Sequence, residues 1–144
     1  MSYEKNISVV GCGHWGKNLV RNISELGALH SISDYSDDLA NAFSEQYDVP
    51  ALKWDEIIES EEVRAVILAV PAPLHFEYAK SALEAGKDVY VEKPICLKND
   101  EAQKLCEIAE GKNSILMVGH LLQYHPVFLK LRDMVRNGDL GTVK

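Results

Sequence analysis

Cysteine, long apolar runs and clustered positive charge are all scarce in this chain, and each scarcity closes off a class of protein. Cys12, Cys96 and Cys106 are the only cysteines. They are odd in number and unevenly spaced, which suits neither a disulfide framework nor a metal cluster. No apolar stretch approaches the roughly 18 residues of a membrane span. Met1–Asn6 is polar and the apolar run Ile7–Val10 is too short for a secretory leader. Asn6-Ile7-Ser8 and Asn22-Ile23-Ser24 are therefore chance sequons, and a cytoplasmic protein is expected. Lys and Arg number 15 against 22 Asp and Glu, a formal charge of −7. Without basic clusters, a broad nucleic-acid or membrane-binding face is excluded.

What is present describes one globular domain. The chain has 144 residues, 47% hydrophobic and 26% charged, enough for a core of its own. Short apolar runs alternate with helical patterns. The expected strands are Ile7–Val10, Leu29–Asp34, a short one near Ala51–Lys53, Val63–Val70, Asp88–Glu92 and Ser114–Val118. Between them lie helices over about Trp15–Leu26 (inner face Trp15, Leu19, Ile23, Leu26), Asp38–Tyr47 (Leu39, Ala42, Phe43), Asp55–Ser60 and Leu74–Glu84 (Phe76, Ala79, Leu83). Gly27 and Gly86 close the first and last of these. Asn99 is expected to cap a helix ended by Gly111, and Pro126 to open one ended by Gly138. Strands linked by single helices imply parallel pairing, hence an α/β, doubly wound sheet of about six strands in the order 3-2-1-4-5-6.

Gly11-Cys12-Gly13-His14-Trp15-Gly16 follows the first strand and opens the first helix. In such a G-x-G-x-x-G, the glycines allow a tight turn, a close approach to pyrophosphate and close helix–strand packing. The helix N-terminus behind it attracts an anion. This context marks a dinucleotide site of the Rossmann type, with His14 and Trp15 beside the cofactor. Within the turn, Cys12 reads as a tolerated small residue or, less simply, as a redox sensor.

Asp34 ends the second strand, where a carboxylate can accept hydrogen bonds from the adenosine ribose. Its alternative role is to cap the helix starting near Ser36. A carboxylate there repels a 2′-phosphate, and no Lys or Arg follows it before Lys53. NAD is therefore expected ahead of NADP.

Glu92-Lys93-Pro94 ends the fifth strand, at the carboxyl edge where open α/β sheets hold ligands. Pro94 biases Lys93 toward extended backbone. A lysine there can bind a substrate hydroxyl or help remove its proton; a surface ion pair is the plainer alternative.

With Gly11–Gly16, Ala69-Val70-Pro71-Ala72-Pro73-Leu74-His75, Glu92-Lys93-Pro94, the helix from Asn99 and the stretch Gly119–Pro126 in this order, the whole chain resembles the Gfo/Idh/MocA family. The resemblance implies NAD(P)-dependent oxidation or reduction of a sugar, cyclitol or related polyol. It places Lys93 at the reacting hydroxyl as the catalytic residue, and Pro71, Leu74, His75 and Glu92 around the nicotinamide and its ribose. Gly119-His120-Leu121-Leu122-Gln123-Tyr124-His125-Pro126 is similar to the branch acting on nucleotide-linked sugars at C3. It adds Gln123 to the cofactor set. His120 and His125 are either ligand contacts or loop histidines, with His125 capping the last helix. Residues 1–144 would form the dinucleotide-binding domain alone. The family's second α/β domain is absent from them, and Leu140–Lys144 reads as the entry to its first strand. The resemblance also implies a small-molecule sugar or nucleotide-sugar partner and a homo-oligomeric parent, with no metal. A non-enzymatic, NAD-responsive regulator on the same fold is the alternative.

Overall fold

The computed structural model describes residues 4–142. Val143 and Lys144, part of the expected strand entry, lie outside that range. Five parallel strands form one sheet: β1 (Ile7–Val10), β2 (Leu29–Ser33), β3 (Ala65–Leu68), β4 (Asp88–Val91) and β5 (Leu116–Val118), in the order β2-β1-β3-β4-β5. The helices are α1 (Gly16–Glu25), α2 (Asp37–Tyr47), α3 (Trp54–Glu59), α4 (His75–Glu84), α5 (Asn99–Lys112) and α6 (Pro126–Arg136). The architecture is the expected Rossmann-type α/β sheet, with one strand fewer. Ala51–Lys53 contributes only a single bridge, Ala51 to Ile32, at the outer edge of β2. Pro50 precedes it and cannot donate to a ladder.

Why these runs are continuous and apolar is clear from the packing. Side chains alternate across a strand, so Val66 and Leu68 of β3 face one core cluster while Ile67 faces another. The first cluster packs them against Ala79 and Leu83 of α4 and Leu105 of α5. The second sets Val9, Leu29 and Ile32 against Val20 of α1, with Leu39 and Phe43 of α2 alongside. Each fully buried Val, Leu or Ile contributes about 1.5–3 kcal/mol. Where strands pair tightly, even polar residues are buried: Ser8 and Ser31, adjacent across β1 and β2, share a 2.6 Å hydrogen bond.

Some local expectations are corrected. Trp15 and Leu26 do not join the inner face of α1 but stay 44% and 55% exposed. On α2, Ala40 is buried and Ala42 is exposed. Lys98, not Asn99, precedes α5, and no side chain caps it. Gly111 lies inside α5, which ends at Asn113 in the left-handed region (φ 54°). Asparagine tolerates that conformation better than other non-glycine residues.

Lys87 pins the amino end of the sheet. Its buried ammonium donates to the Ser60 and Val63 carbonyls, both at 2.8 Å. Burial lowers its pKa from the ordinary lysine value. The β5 flank is bare among the described residues. β5 is one of the sheet's two edge strands, and α6 buries none of its residues. Ile115, Met117, Leu122, Val127 and Leu131 are all exposed there.

Candidate functional site

The glycine turn is shaped by close contacts. A β-carbon on Gly16 would lie 1.8 Å from the Gly11 carbonyl oxygen, and one on Gly11 would lie 2.7 Å from the Ala69 carbonyl oxygen. Gly11 also has φ +93°, a conformation side chains rarely adopt. Gly13 differs, since a β-carbon there meets nothing within 4 Å. Its bareness leaves open space above the turn, where backbone can meet a ligand. No side chain caps α1. Among the described residues no hydrogen bond reaches the N–H groups of Gly13, His14 or Trp15. Unpaired donors at a helix start suit an anion, and the turn therefore fits a pyrophosphate.

Asp34 is bound to this turn. Its Oδ2 accepts from the Cys12 N–H at 2.7 Å, and its Oδ1 from the Ser36 N–H at 2.9 Å. The alternative capping role falls to Ser36, whose hydroxyl accepts from the Leu39 N–H at 3.3 Å. Asp34 thus remains at the turn, half-buried, with its carboxylate beside the glycines. Tyr35, next to it, is fully exposed, and Lys53 pairs with Asp37 of α2.

Beyond the carboxyl ends of β3, β4 and β5 lies a cleft of about 1050 Å³. It is lined by His14 and Trp15 from the glycine turn, His75 from α4, Glu92 and Lys93 from the end of β4, and Gln123 from the segment after β5. Pro71 and Leu74 are exposed on the β3–α4 loop but lie outside this lining. Glu92 joins three walls of the cleft. Its buried carboxylate accepts at Oε1 from the Trp15 indole N–H (2.7 Å) and the Tyr90 hydroxyl (3.0 Å). Gly119 presses on the same pair: a β-carbon there would sit 2.5 Å from the Tyr90 hydroxyl and 2.9 Å from Glu92 Oε1. Burial and the neighbouring Glu92 push the Tyr90 hydroxyl well above the usual tyrosine range, so it stays a donor.

Lys93 is exposed to the cleft and, among the described residues, forms no ion pair. Among those residues the surface-pair alternative finds no partner. His75 is buried, and both ring nitrogens face backbone carbonyl oxygens rather than open space. His125 caps α6, its Nδ1 accepting from the Val127 N–H at 3.2 Å, whereas His120 lines the cleft. Tyr90 and Phe128 were not singled out from sequence. Tyr90 reads as an ordinary strand residue, and only the fold brings Phe128 of α6 over the cleft.

Residues 5–120 match the oxidoreductase family with an NAD-binding Rossmann fold, Gfo/Idh/MocA. The chain belongs to that family. A relative from Actinomadura kijaniata, dTDP-3,4-didehydro-2,6-dideoxy-alpha-D-glucose 3-reductase, is 30% identical over 96% of this chain and 43% of its own length. The solved UDP-N-acetylglucosamine 3-dehydrogenase from Acidithiobacillus ferrooxidans superposes with a TM-score of 0.85 at 27% identity, covering 91% of this chain and 43% of that one. A 3-ketoreductase from Actinomadura kijaniata, solved with NADP and TDP-benzene, gives 0.87 at 26% identity over 99% and 46%. The chain thus spans less than half the length of each. As the NAD(P)-binding domain of a Gfo/Idh/MocA oxidoreductase, it has relatives that take NADP, so the family does not decide between the two cofactors.

The membership also frames Cys12. The thiol is buried in the glycine turn, and its pKa is pushed up to about 12 by burial and by nearby Asp34. Since only the thiolate reacts, iodoacetamide at pH 8 is expected to alkylate exposed Cys106 and spare Cys12. Peptide mass spectrometry reads the outcome; rapid alkylation of Cys12 would restore the redox-sensor reading.

Proposed function

We propose that this chain is the NAD(H)-binding part of a two-domain dehydrogenase or reductase acting at a carbinol carbon of a nucleotide sugar, a free sugar or a cyclitol. The observation that carries the reading is the position of Lys93, without an ion pair among the described residues, in the same cleft as the glycine-turn residues His14 and Trp15. A bound nicotinamide supplies the hydride chemistry. The chain's residues hold and orient: the bare Gly13 turn and the α1 N-terminus take the pyrophosphate, and Asp34 takes the adenosine ribose. Gln123 and Glu92 border the cleft near Lys93. Lys93 takes the substrate hydroxyl and eases its proton away. The nucleotide-sugar class is supported by two relatives named for such substrates. The test is a panel of nucleotide sugars, sugars and cyclitols offered with NAD to the full-length protein. Turnover of none of them sinks the proposal.

NAD is preferred in this reading because Asp34 stands at the glycine turn and Lys53, the first lysine after it in the chain, is already paired with Asp37. A 2′-phosphate would meet a carboxylate without a cation. Asp34→Ser combined with Tyr35→Arg is therefore expected to weaken NAD and strengthen NADP, each by roughly tenfold, or about 1.4 kcal/mol. Calorimetry with both cofactors checks this. Wild-type preference for NADP would overturn the assignment of Asp34.

A further inference from the structure

His75 is one of the least exposed polar residues of the chain, at 1%. It begins α4, directly under the cleft. Its Nδ1 lies 2.6 Å from the Pro94 carbonyl oxygen and its Nε2 lies 2.8 Å from the Val70 carbonyl oxygen. These carbonyls belong to different loops, Pro94 following Lys93 after β4 and Val70 following β3. Among the described residues no backbone N–H donates to either oxygen. Backbone carbonyls are obligatory acceptors, and the group set against both of these is the same imidazole.

The ring thus spans the gap between the two loops, with one nitrogen set against each carbonyl.

We propose that His75 is a positioning residue whose ring, seated between the Pro94 and Val70 carbonyls, ties the Lys93–Pro94 turn to the loop after β3 and so fixes where Lys93 enters the cleft. The catalytic consequence rests on the reading of Lys93 given above; the tie does not. The phosphate-binding turn hangs on other contacts, to Ser33, Asp34 and Ala69. Loss of His75 therefore misplaces Lys93 while leaving dinucleotide binding nearly intact.

Two measurements test this. In the present chain with ¹⁵N-labelled histidine, ¹H–¹⁵N spectra are expected to show a His75 ring N–H that exchanges slowly with water, being held against a backbone carbonyl. A His75 ring N–H that exchanges as fast as that of exposed His14 would overturn the tie. In the full-length protein, His75→Leu is expected to lower kcat by roughly 10- to 100-fold, the scale of a misplacement remote from the chemistry. KM and NADH affinity should stay within a few-fold. His75→Gln, whose amide nitrogen carries two N–H groups, should recover part of that loss. If both variants lose only folded protein and keep wild-type kcat per bound NADH, His75 is a packing residue and the proposal fails. A wild-type protein that turns over no sugar or cyclitol defeats the reading of Lys93, and the exchange measurement still decides the tie.

Discussion

Gly16→Ala is expected to abolish dinucleotide binding, whereas Gly13→Ala is expected to weaken it in a normally folded chain. At position 16 the new β-carbon would sit 1.8 Å from the Gly11 carbonyl oxygen and 2.8 Å from its carbonyl carbon. Both atoms are backbone, and Gly11 is itself held by a hydrogen bond from its N–H to the Ser33 carbonyl at 2.8 Å. Relief means lifting α1 off the sheet, which breaks the contact of Val20 with Val9 and Ile32. A cost of roughly 3 kcal/mol, the upper end of ordinary overpacking, is expected. That is a large share of the 5–15 kcal/mol a domain usually has. At position 13 there is nothing to strike, so the alanine methyl matters only when pyrophosphate approaches. Thermal unfolding beside NADH calorimetry separates the two: the first variant should lose both stability and binding, the second binding alone. A Gly16→Ala chain that binds NADH like the wild type would show that the turn is not the phosphate site.

Lys93→Ala in the full-length protein should lower kcat far more than it weakens NADH binding. Lys93 is at the carboxyl end of β4, open to the cleft and unpaired among the described residues. A group that handles the proton leaving a hydroxyl acts in the transition state, so its removal shows mainly in kcat. Assistance of this kind is typically worth about 10²–10⁴-fold. A residue that only positions substrate would give a smaller change concentrated in KM. Steady-state kinetics with direct NADH titration decides, and near wild-type turnover would remove Lys93 from the chemistry.

How much of this was legible beforehand depended on the range of the interaction. The glycine turn, Asp34 and the Glu92-Lys93-Pro94 turn carry their meaning in a few adjacent residues, and the alternation of apolar runs with helical patterns set the parallel sheet. What escaped was decided by partners far apart in sequence. Ala51 has strand character, but Pro50 leaves it a single bridge. The hydrogen bond of Trp15 with Glu92 spans 77 positions, and nothing local distinguishes Trp15 from an inner-face helix residue. The resemblance sets His75 beside the nicotinamide, and it does line the cleft; that its nitrogens face two carbonyls is visible only in the packed structure.

The bare flank formed by β5 and α6 bears on how the isolated chain behaves as a colloid. An edge strand with unpaired backbone groups beside exposed Leu122, Val127 and Leu131 is adhesive toward its own kind. The charge of −7 opposes that contact at low ionic strength. Added salt screens the repulsion within about 10 Å and leaves the apolar attraction in place. Self-association of these 144 residues that grows with salt would therefore measure the apolar surface this flank exposes.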